Sequence, residues 1–194
     1  MRLHRVFAIS IIVGASAGGL AWVLTTLLPH PWPTLAGTSA LWGLVPFGVA
    51  LRDGVRTQKR EAALTGVVTM LAMVAIWCAL VASTVTLREV LLWTVVGFAA
   101  GALCGLAGYS ARSRQRWFRA LALAFMGGLV AGEGLYGVVL IGGPQWWLEL
   151  VVGLVLPLAL GRTLQGRLVA LVGAAVFAAA LLGVFWLYDA VAVM

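Results

Sequence analysis

Charge is what this chain has least of. Asp, Glu, Lys and Arg make up 10% of its 194 residues, where a soluble domain carries roughly 25%. That depletion excludes water as the solvent for most side chains. Histidine is confined to His4 and His30, and cysteine to Cys78 and Cys104. No cluster has metal-ligand spacing, so neither a metal nor another cofactor is expected. The cysteines fall in separate apolar runs and read as free buried thiols, since a disulfide would need Cα atoms within about 7 Å. There is no G-x-S-x-G, no Walker A loop and no dinucleotide fingerprint. Ser, Thr and carboxylates are too sparse to name a nucleophile and its base, so an enzyme is the lesser expectation. The net charge of +7 does not imply nucleic acid, because the basic residues lie in short segments between apolar runs.

What remains is hydrophobic: 63% of the chain, with a mean hydropathy of +1.07. The runs divide it into seven spans of about 6–28, 34–51, 62–84, 90–110, 120–141, 148–160 and 168–187, forming one integral membrane domain over residues 1–194. The first is too long for the core of a cleaved signal peptide, roughly 7–15 residues, and reads as a retained helix. Pro29, Pro31 and Pro33 stop it. Pro46 predicts a kink in the second span, and Tyr188 and Asp189 lie near the end of the seventh.

Charge then sets orientation. With the N-terminus cytoplasmic, the inner segments hold Arg2 and Arg5, then Arg52, Arg56, Lys59 and Arg60. Next come Arg112, Arg114, Arg116 and Arg119, and finally Arg162 and Arg167. Of the 13 Lys and Arg, only Arg88 falls outside, which selects this topology by the positive-inside bias. A re-entrant sixth run would leave six spans, the alternative count. The fold class is an all-α polytopic transmembrane bundle.

Two patterns carry the functional expectations. Gly14 and Gly18, Gly97, Gly101 and Gly105, and Gly128 and Gly132 recur at a spacing of four, the pattern of closely packed membrane helices. They serve either packing within the bundle or docking of a partner membrane protein or a second copy of the chain. The second pattern lies in residues 127–149, GGLVAGEGLYGVVLIGGPQWWLE. Glu133 is the one ionisable group deep inside an apolar span, roughly 20 Å from the cytoplasmic start of its helix at 1.5 Å per residue. A carboxyl group at that depth faces protein, a cavity or a partner. Tyr136 shares its face, and Gly132 and Gly134 leave space beside it. Glu149 is expected in a first helical turn, held by the helix dipole. Trp146, Trp147 and Trp32 are expected as interfacial anchors. With His30 and Tyr136, these tryptophans could also rim an outward-facing pocket for a small molecule.

The blocks Ala131-Gly132-Glu133-Gly134-Leu135-Tyr136-Gly137 and Trp146-Trp147-Leu148-Glu149 resemble a bacterial multi-pass membrane family known as domain of unknown function 6518. So does Pro31-Trp32-Pro33-Thr34-Leu35-Ala36, continuing through Gly37-Thr38-Ser39-Ala40-Leu41-Trp42. The family has an Asn-Ser pair after Leu-Ala, whereas Gly37-Thr38-Ser39 stands here, so an amide is missing. The resemblance implies a helical membrane fold in the bacterial cytoplasmic (inner) membrane, with the lipid bilayer as partner. It implies no activity. From the residues, the expected role is binding or transport of a small solute around Glu133. The alternative is a structural or assembly role through the glycine faces.

Overall fold

The protein is described by a computed structural model covering residues 2–53 and 58–192; Arg56 lies outside them. Among the described residues all regular structure is helical. Five helical stretches are long and apolar enough to cross a membrane: His4–Leu27, Lys59–Leu80, Leu87–Ala111, Arg116–Ile141 and Leu164–Val184. The runs expected as second and sixth spans form shorter helices. The chain divides into two compact units, residues 1–112 and 113–194.

The first unit contains α1 (Arg2–Leu27), α2 (Pro33–Ala36), α3 (Ser39–Asp53), α4 (Lys59–Leu80) and α5 (Leu87–Ala111). Its hub is α4, which packs on α1, α3 and α5. Glycine makes that possible. A Cβ at Gly66 of α4 would strike the Gly101 carbonyl oxygen and the Gly105 backbone of α5. A Cβ at Gly14 or Gly18 of α1 would strike the carbonyl oxygen of Thr69 or Met73. Backbones in such contact exclude any side chain, and van der Waals packing holds them. Met70, Met73, Val74, Phe47 and Cys104 fill the core, and both cysteines are free.

The second run does not form one helix. It breaks at Gly37 and Thr38 between α2 and α3, where the Thr38 hydroxyl donates to the Leu35 carbonyl at 3.1 Å. Such hydroxyl-to-backbone bonds compete with the helical ladder. Pro46 is accommodated inside α3. The third run likewise stops short of Thr84, because α4 ends at Leu80 and Thr84 turns back to the Val81 carbonyl. Outside, α5 presents Leu91, Leu92, Val95 and Phe98. A helix apolar on its exposed side as well as its packed side suits lipid.

The second unit contains α6 (Arg116–Tyr136), a π-helical turn (Gly137–Ile141) that continues it, α7 (Pro144–Leu160) and α8 (Leu164–Ala192). Here α6 is the hub, packed on α7 and α8. Two glycine rows do this. Gly127 lies on the Gly153 carbonyl and the Pro157 ring of α7, whereas Gly128 and Gly132 lie on Phe177 and Leu181 of α8. Phe125 and Phe177 meet edge to face at 5.5 Å. Gly142 and Gly143 make the reversal between α6 and α7 with φ of 82° and 118°, a region that favours glycine. Pro144 starts α7 at a position where its missing N–H costs nothing.

Candidate functional site

Of the site residues expected in the second unit, Trp146 and Glu149 lie on the face of α7 that is buried at its seam with α6. Glu133 and Tyr136 end α6, both half-buried. Next to them, a Cβ at Gly134 would strike the backbone of Glu149 and Leu150. One turn on, a Cβ at Gly137 would fall into the Trp146 indole. The two segments therefore run in direct backbone contact. The π turn lies at the same level, with the Gly142 N–H donating to the Gly137 carbonyl at 2.8 Å. It closes the C-terminal end of the helix, where such turns are ordinary geometry.

Two expectations are corrected here. Glu149 is not in a first helical turn, because Pro144 starts α7 earlier and leaves it in the second turn. It is 1% exposed, so burial rather than the helix dipole defines its surroundings. Trp146 is 7% exposed and packs into the gap left by Gly137, so it is no interfacial anchor. Trp147, 58% exposed on the next position round the helix, does have an anchor's exposure. Trp32 belongs to the first unit, beside the start of α2, and is 37% exposed.

Gln145 was not anticipated. It is 3% exposed, and its side chain folds over the Gly143 turn. Neither Gln145 Oε1 nor Trp146 Nε1 has a hydrogen-bond partner among the described residues. Leaving one such buried group unsatisfied costs about 1–3 kcal/mol. Glu133, Tyr136 and Glu149 are each engaged with neighbouring groups. The available signal was periodic: Gln145, Trp146, Glu149, Gly153 and Pro157 form the buried face of α7, following helical spacing from Pro144 onward. The arginine nearest to Glu133 along α6 is Arg119, about 21 Å away along the axis at 1.5 Å per residue. Chemically, the buried face of α7 carries a carboxamide oxygen as acceptor and an indole N–H as donor, together with the Glu149 carboxyl group. That set suits a small polar molecule with both donors and acceptors.

Each glycine row lies against another helix of its own unit. Gly14 and Gly18 lie on α4; Gly97, Gly101 and Gly105 lie on α4 from the other side; Gly128 and Gly132 lie on α8. Gly97 is the loosest, with the Val74 and Met70 side chains at 3.3 and 3.4 Å from a built Cβ.

A second concave feature lies in the first unit, where α4 ends and α5 begins. A cavity of about 240 Å³ is lined by Trp42, Met70, Trp77, Cys78, Trp93 and Val96, with Gly37 and Gly97 in its walls. Trp42 and Trp77 meet edge to face, centroids 5.5 Å apart. Trp42 is fixed by its indole N–H, which donates to the Ala36 carbonyl at 2.7 Å. The sequence did not announce this feature, because its residues come from three helices far apart in the chain.

Long apolar helices with apolar exteriors, built on glycine seams, are the architecture of a membrane-compatible helical protein. The chain belongs to the family of unknown function DUF6518, which matches residues 1–191. No curated protein and no solved structure matches this chain.

Proposed function

We propose that this protein is a multi-pass protein of the bacterial cytoplasmic membrane that binds or transports a small polar solute at the α6–α7 seam. In this reading all seven hydrophobic runs cross the bilayer, with the N-terminus cytoplasmic. Glu133, Tyr136, Gln145 and Glu149 line the site, and it opens outward. The observation that carries the proposal is the burial of Gln145 and Trp146 with Oε1 and Nε1 unpartnered among the described residues. Packing alone does not explain that, because apolar residues of the same shape would remove the penalty. Buried polar groups in membrane segments mark solute or ion pathways by default.

The test is a thermal-shift screen of the purified protein against small amines, amino acids and polyols. One class is expected to raise Tm, with the shift lost in Glu133→Gln and Glu149→Gln variants that still run as folded, monodisperse protein. A panel that shifts neither parent nor variants, or a shift that both variants keep, overturns the proposal.

A further inference from the structure

We propose that the tryptophan-lined cavity of the first unit is a separate binding site for an uncharged, ring-bearing lipophile that enters from the bilayer. The inference does not depend on the α6–α7 seam. Four observations carry it.

The first is size. An apolar cavity of roughly 150 Å³ takes a benzene ring, so about 240 Å³ accommodates a fused pair of rings. The second is charge. No Asp, Glu, Lys, Arg or His is among the described residues lining it, and burying an ion without a partner is prohibitive. The third is shape and chemistry. The edge-to-face Trp42–Trp77 pair presents an indole surface with its own quadrupole, which favours another ring over a saturated chain. The thioether of Met70 and the thiol of Cys78 add sulfur–ring contacts. Because the Trp42 N–H is already bonded to Ala36, that ring is held in place before any ligand arrives. The fourth is access. Trp93 and Val96 line the cavity and are also exposed on α5, beside Leu92 and Val95. The mouth therefore opens among apolar side chains, where a molecule dissolved in lipid would meet it.

Cys78 makes the site testable. It lines the cavity, and Cys104 is the only other cysteine. In lipid nanodiscs, a Cys104→Ala protein would be alkylated with N-ethylmaleimide and followed by intact mass. Naphthalene is expected to slow labelling of Cys78 saturably, by roughly fivefold at about four times its Kd, from mass action. Ala100 also lines the cavity, and Ala100→Leu, which would fill that wall, should leave Cys78 reactive but insensitive to naphthalene. Should that variant fail to fold, Trp42→Leu serves the same comparison by removing the fixed ring. Equal protection by decane would assign the cavity to an acyl chain and overturn the proposal. Equal protection by 1-naphthylmethylammonium would overturn the uncharged class. Absence of protection by naphthalene would overturn the site itself.

Discussion

The seam between α4 and α5 and the seam between α6 and α7 are built alike and differ in what they bury. Both bring backbones together at glycine: Gly66 with Gly101 and Gly105 in the first, Gly134 with Glu149 and Leu150 in the second. The buried polar groups of the first unit include Thr69, whose hydroxyl donates to the Thr65 carbonyl at 2.8 Å, and Ser10, which donates to Val6 at 2.9 Å. A hydroxyl one turn from a carbonyl finds its partner within its own helix and so costs little in lipid. The buried set of α7 is Gln145, Trp146 and Glu149. Of these, the Gln145 amide oxygen and the Trp146 indole N–H find no partner among the described residues. Glycine is therefore common to both seams; the type of polar group buried beside it is what differs.

The largest effect tests what the seams share. Gly66→Leu and Gly134→Leu would each drive a side chain into the facing backbone and should destabilise by about 3 kcal/mol or more, at the upper end of overpacking. Thermal unfolding in detergent should show both variants melting far below the parent. Gly97→Ala, which meets side chains of Val74, Met70 and Leu71 rather than backbone, should stay within about 1 kcal/mol of it. A Gly134→Leu protein as stable as the parent would mean that the α6–α7 seam is looser than its backbone contact implies.

The next pair tests the difference. Thr69→Val should lower stability by about 0.5–1 kcal/mol, the net value of one buried hydrogen bond. Gln145→Leu should do the opposite, raising stability by about 1 kcal/mol, because it removes an unsatisfied acceptor. Gains of this kind arise where a protein carries strain for function. Chemical denaturation of the two variants side by side reads the signs directly. If Gln145→Leu destabilises as Thr69→Val does, the amide is structural and the distinction between the seams collapses.

Much of the architecture was legible in the chain. Apolar runs separated by arginines located the long helices, because crossing a bilayer takes about 20 apolar residues, and the spacing of four located the glycine rows, because residues four apart share a helix face. The α2–α3 break was not legible, since Gly37 and Thr38 interrupt an otherwise apolar run that composition alone would carry through. Among the candidate site residues, Glu133 and Tyr136 were visible as polar groups within an apolar run. The burial of Glu149 and Trp146 was hidden, because it depends on a helix start that Pro144 sets several residues earlier than hydropathy suggested. Gln145 falls outside the 148–160 run for the same reason. The tryptophan cavity is tertiary, and no local pattern links Trp42, Trp77 and Trp93.

The smallest effect concerns how the helices begin. α5 opens with a reciprocal cap: the Glu89 N–H donates to Thr86 Oγ1 at 3.3 Å, while Glu89 Oε2 accepts from the Thr86 N–H at 2.8 Å. α6 opens at Gln115 with no side-chain cap; the Gln115 N–H instead donates to Ser113 Oγ at 3.1 Å. Thr86→Ala should therefore cost about 0.5–1 kcal/mol, toward the low end for an N-cap because the pair is exposed. Gln115→Ala should stay within about 0.5 kcal/mol, as surface changes away from such features do. Amide hydrogen exchange at the first turn of each helix separates the outcomes, since a lost cap frays the turn it held. Faster exchange at Leu87–Val90 in Thr86→Ala, with no change at Arg116–Arg119 in Gln115→Ala, is the expected pattern. Equal responses would show that the start of α6 is held by its side chain as firmly as the start of α5, removing this difference between the units.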